Sequence, residues 1–169
     1  MNNNQNNENK IYIRKVYKDK AENLLKKCMV IMFLSILTYI LPLVLFKAFD
    51  FGLVFEVISL VFIVIAYNKM GQNDFRVLKR YTIIAMIPIG WLIIYDFIDL
   101  LANIGEVFIE VSMYYLTGDQ FFYYLAPYLV DVLLIASIIL LYKTYSSLKK
   151  AEGSEPVYDS YEDTFYDKL

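Results

Sequence analysis

The sequence predicts an all-α, polytopic membrane protein with four transmembrane helices in an antiparallel bundle and both termini in the cytoplasm. Three observations carry that prediction. Four apolar runs, about 29–46, 51–67, 81–101 and 121–142, each suit the roughly 17–25 helical residues that a hydrocarbon core requires. Apolar residues make up 59% of the chain, too much surface to hide in one small water-soluble core. Finally, the 16 Lys and Arg residues are distributed asymmetrically: seven precede the first run, four lie between the second and third, four follow the last, and Lys47 alone belongs to the other side. Basic residues near span ends stay in the cytoplasm, so both termini and the 68–80 connection are placed there.

Residues 1–9 form an Asn-rich tail with too little apolar surface to fold by itself, and disorder is expected. Residues 10–28 carry Ile13, Val16, Tyr17, Ala21 and Leu24 at helical spacing with basic residues between them, the pattern of an interfacial amphipathic helix entering the first span. Ahead of that span, seven basic residues face three acidic ones, a local charge of +4. Each juxtamembrane cation is attracted to an anionic leaflet by about 1 kcal/mol, which makes Arg14, Lys15, Lys18, Lys26 and Lys27 candidate contacts for lipid head groups. The same charges follow from the positive-inside rule, so nucleic acid is not implied. The first apolar run exceeds the 7–15 residues of a signal-peptide core and no small-x-small site follows it before Lys47. An uncleaved signal anchor is expected.

Only 47–50 separates the first two runs, which makes those helices tightly joined neighbours. Gly71 is suited to cap the second helix and Asp74 to open the third. Pro42, Pro88 and Pro127 interrupt three spans, and each frees a backbone carbonyl where the helix can bend. From the third run onward Asp96, Asp99, Asn103, Glu106 and Glu110 recur at intervals of three and four. On a helix they make one acidic face, read as an amphipathic external segment between helices three and four with Gly105 as its bend.

The deeper acids are the candidate chemistry. At about 1.5 Å per residue, Asp96 lies about 22 Å from the cytoplasmic boundary, Glu56 reaches a similar depth from outside, and Asp131 falls near the midplane. A charged carboxylate there costs at least about 2.5–3.5 kcal/mol, so it must face the bundle interior, find a partner or take up a proton. No Lys or Arg occurs within the four runs. Glu56, Asp96, Asp99 and Asp131 are therefore candidate ion- or proton-binding residues, with Tyr124 and Tyr128 on the Asp131 side of the fourth helix. The alternative is that Asp96 and Asp99 sit in the interface while Asp131, protonated, orders the bundle through a hydrogen bond.

Enzymatic readings find little support. The chain has no histidine and one cysteine, Cys28, which removes histidine-based relays and triads and leaves no internal disulfide. Cys28 suits a small apolar filler better than an acylation site. Tyr95–Asp96 has half of the intramembrane aspartyl-protease pattern, but Leu116–Asp119 reads LTGD where GxGD is required. No metal site, cofactor or catalytic set is expected. Past Lys150 the chain turns acidic and Tyr-rich, a solubilising cytoplasmic tail over 143–169, flexible from Glu152. Tyr145–Leu148 (YSSL) fits a loose sorting pattern pressed against the membrane.

These readings favour a non-enzymatic accessory, scaffold or regulatory subunit, partnered by the bilayer and by a membrane protein or a second copy. A proton- or cation-permeable transport component is the alternative. Abundant Asn, Ile, Lys and Tyr fit an AT-rich genome, and a bacterial cytoplasmic membrane is the expected location.

Overall fold

The computed structural model describes the backbone of residues 3–46, 51–113 and 118–154, and side chains over 7–38, 40, 51–102 and 128–154. Every element among the described residues is helical. Helix α1 spans Asn3–Phe46, α2 Gly52–Asn68, α3 Phe75–Met113 and α4 Gly118–Gly153, with a 3-10 turn at Lys69–Gln72 after α2. Three segments, Gly52–Gln72, Phe75–Ala102 and Tyr128–Gly153, are long and apolar enough to cross a membrane. The expected first span lies partly outside the described residues, since side chains of 39 and 41–46 are not among them.

Burial follows an alternation of three and four residues, with Ile36 and Ser147 buried beside it. In α1 the buried line is Ala21, Leu25, Cys28, Met32 and Ser35; in α2 it is Gly52, Glu56, Ser59, Ile63, Ala66 and Met70, the last in the 3-10 turn. Helix α3 contributes Phe75, Leu78, Thr82, Ala85, Ile89 and Leu92, and α4 contributes Val130, Leu134, Ser137, Leu141, Thr144, Leu148 and Ala151. A sustained 3,4 spacing keeps one seam facing its neighbours along the whole helix, as in coiled-coil packing. The main interfaces are α1 with α4, α2 with α3, α3 with α4 and α1 with α2, which closes the helices into a ring. Outside the seam, large apolar side chains such as Phe33, Val61, Ile87, Trp91, Ile94 and Ile139 are exposed. Such a surface suits a hydrocarbon solvent and would aggregate in water.

Local signals account for the α2–α3 connection, with one correction. Gly71 does not cap α2; the 3-10 turn continues past it, and Asn73 instead takes the left-handed conformation with φ 56°. Asn tolerates that region because its short polar side chain bonds locally. Here Asn73 Oδ1 accepts from Lys18 Nζ at 2.6 Å, tying the loop to α1. Asp74 then opens α3, its Oδ1 accepting the backbone N–H groups of Arg76 and Val77 at 3.1 Å each. Pro88 sits inside α3 without ending it, and α3 is helical through Gly105.

Both flanking segments are more built than expected. The 10–28 segment is continuous with α1, and Ala21, Leu25 and Cys28 are wholly buried in the core shared with Leu148 and Ala151. Leu24, one position away, is only partly buried. A helix lying flat on the bilayer would turn those side chains to lipid; here α4 is long enough to cover them. Likewise α4 runs to Gly153, so the stretch from 143 to 153 is helix and Glu152 is ion-paired with Lys79. Ser147 and Leu148 of the YSSL string are buried, which removes them as a sorting signal. The remainder of the tail lies outside the described residues.

Candidate functional site

Within the spans, polar seam residues divide by what they bond. Thr82, Thr144 and Ser147 donate to the carbonyl four residues back, those of Leu78, Leu140 and Lys143, at 2.8–2.9 Å. Those hydroxyls are satisfied within their own helix. Glu56 is different: it is wholly buried, and Ser35 Oγ on α1 donates to its Oε1 at 2.9 Å. Across the bundle the Asp96 and Asp131 side chains stand close to one another, setting a carboxyl of α3 beside one of α4.

The two contacts lie at one level. Cys28 Sγ approaches the Ser137 carbonyl at 3.7 Å, which registers α1 against α4. Ser35 is two turns beyond Cys28 and Asp131 nearly two turns before Ser137, displacements of about 10 and about 9 Å in the same direction. Ser35, Glu56, Asp96 and Asp131 thus form one polar layer. Residue counts alone set Asp131 deeper than Asp96; the packing of α3 on α4 sets the two side by side. Asp99, one turn further along α3, is exposed. Tyr128 is exposed too, and Tyr124 lies outside the described residues, as do the side chains of Asn103, Glu106 and Glu110.

Sequence reasoning missed Ser35 and the buried hydroxyls of Ser59 and Ser137, for which no hydrogen-bond partner is present among the described residues. A serine in an apolar run carries no signal of its own. The signal that could have found Ser35 and Ser137 was their place in a 3,4 register with Cys28 and Leu134. Among the described residues, no three His, Cys, Asp or Glu side chains gather as metal ligands. What the layer can do chemically is bring carboxyl and hydroxyl groups of different helices together and fix the helices that present them.

The expected head-group contacts separate into two groups. Arg14 lies over the Phe75 ring at 4.8 Å, Lys18 bonds Asn73, and Lys26 pairs with Glu22 at 3.0 Å while lying over the Tyr67 ring at 5.5 Å. The hydrogen bond to Glu22, then that to Tyr67, holds the Lys26 ammonium above its usual range. These three side chains fasten α1 to the α2–α3 connection and to its own helix. Lys15 and Lys27 remain exposed.

No protein-family model, curated protein or solved structure matches the chain. The architecture therefore defines a class: an all-helical membrane protein with three long apolar helices among its four.

Proposed function

We propose that this chain is a small, non-enzymatic integral membrane protein serving as an accessory, scaffold or regulatory subunit. In this reading it crosses the cytoplasmic membrane of a bacterium four times as an antiparallel bundle, with both ends inside. The carrying observation is the polar layer: the wholly buried Glu56 of α2 is bonded to Ser35 of α1, as expected of groups that order helices in lipid. The cytoplasmic ends of α1 and α4, packed through Leu25, Leu148 and Ala151, supply a rigid surface for a membrane-protein partner or a second copy.

One observation favours a second reading, a proton- or cation-permeable component: two neighbouring carboxyls on apolar helices, Asp96 and Asp131, are a place where a proton or cation can be exchanged. The two readings separate in proteoliposomes carrying an internal pH dye, an imposed proton gradient, and either wild type or Asp131→Asn. The substitution keeps a polar side chain of the same size beside Asp96 but removes one titratable carboxyl. No flux from either protein, both folded, is the outcome expected of the accessory role. Flux that Asp131→Asn abolishes would overturn it in favour of transport.

A further inference from the structure

At the cytoplasmic ends of α3 and α4 a groove of about 320 Å³ is lined by Arg76, Lys79, Arg80, Ile83, Tyr145 and Glu152. We propose that this groove is a binding site for the phosphate head group of an anionic phospholipid, with Ile83 receiving the first methylenes of its acyl chains. The proposal rests on the membrane-spanning reading above.

Four features converge on that chemistry. Three cations face one carboxylate, leaving the groove a net +2, enough to hold a phosphodiester and still favour it over a zwitterion. The cations also occupy the level a head group occupies, since Arg76, Lys79 and Arg80 immediately precede the apolar stretch beginning at Tyr81. Immediately beyond them Ile83, Ile84 and Ile87 are exposed, so a ligand charged at one end and apolar at the other matches both. Lastly, Tyr145 adds a hydroxyl from α4, and a groove between two helices is fixed by their packing, unlike a surface array of lysines.

Glu152 supplies an internal competitor. It pairs with Lys79, and its Oε1 is 4.0 Å from Arg76 Nε. The carboxylate keeps the partly buried Lys79 compensated when no lipid is bound, and a head group would share or replace it there. Arg76, with 86% of its side chain exposed, is free to swing onto a phosphate. The groove thus differs from the earlier candidates Arg14, Lys18 and Lys26, which are engaged with Phe75, Asn73 and Glu22.

The test uses the purified full chain in detergent, titrated with phosphatidylglycerol or phosphatidylcholine and read by native mass spectrometry. Wild type is expected to retain phosphatidylglycerol in preference. Each neutralised cation should weaken it roughly fivefold, so Arg80→Gln loses roughly fivefold and Lys79→Gln/Arg80→Gln roughly 25-fold. Glu152→Gln is expected to bind more tightly, and Lys20→Gln, an exposed cation outside both the groove and the expected head-group contacts, to match wild type. Arg80→Gln keeps the Lys79–Glu152 pair and serves as the readout if the double variant misfolds. Unchanged binding in folded Arg80→Gln, or an equal loss in Lys20→Gln, would overturn the site. Displacement of the lipid by excess inorganic phosphate would overturn the lipid assignment in favour of a free-anion site. Flotation with pure phosphatidylcholine vesicles tests embedding separately, so failure of the membrane reading is distinguishable from failure of the groove.

Discussion

Glu56 occupies a seam position where an apolar residue would pack at less desolvation cost, and the Ser35 hydroxyl is what makes it tolerable. Removing one member of a buried hydrogen-bonded pair leaves the other unsatisfied, at about 1–3 kcal/mol. Glu56→Ala is therefore expected to lower detergent stability by that amount, while Glu56→Gln, which keeps an acceptor for Ser35, stays close to wild type. Thermal unfolding followed by circular dichroism checks both, and equal losses would argue against the bond. For the Asp96–Asp131 contact, a double-mutant cycle with leucines should give a coupling of about 0.6–1.7 kcal/mol, the range for interhelical hydrogen bonds in membranes. A coupling near zero would separate the two side chains. Charged residues in apolar runs were legible because lipid penalises them; which of them touch was not, because contact depends on helix register.

Helices carry their own predictions. Asp74 satisfies two N–H groups at the start of α3, so Asp74→Ala should cost about 1 kcal/mol in the same unfolding measurement. A Cβ added at Gly90 would meet Ile138 Cδ1 at 3.8 Å, ordinary van der Waals contact. Gly90→Ala should accordingly leave packing intact and raise stability by up to about 1 kcal/mol through helix propensity; a loss would mean that α3 needs the glycine to approach α4. The extensions of α1 and α4 beyond the apolar runs are expected to behave as core. Leu148→Ala should cost about 2–5 kcal/mol, as for other buried leucines, and increase proteolysis near residues 143–153. If those residues instead formed a loose tail, the substitution would be silent. Their pairing was only partly readable: the periodicity around Ala21 indicated a helix with one apolar side, but not whether lipid or α4 covers it.

For the whole molecule, a ring of four helices whose outward surface is largely apolar leaves membrane orientation as the property to measure. With Cys28 buried, single introduced thiols give a clean readout. An impermeant maleimide should label Lys15→Cys and Gln72→Cys from the cytoplasmic side, and Phe51→Cys only from the outside. Labelling of Lys15→Cys and Phe51→Cys from one side would break the proposed topology.

Patterns along the chain were sufficient for class. The cost of placing charge in lipid and the demand that backbone groups bond locally leave apolar helices as the economical solution, and both are visible residue by residue. Asp74 as a helix opener was likewise a local fact. Assembly decided the rest. Whether Asn73 or Gly71 stops α2, whether Leu24 or Leu25 is core, and whether Asp131 stands below Asp96 or beside it depend on how each helix is rotated and slid against its neighbours. A shift of one residue turns a helix by about 100° and moves it about 1.5 Å. That rotation is set by the summed packing of all four seams, which no single stretch of sequence contains.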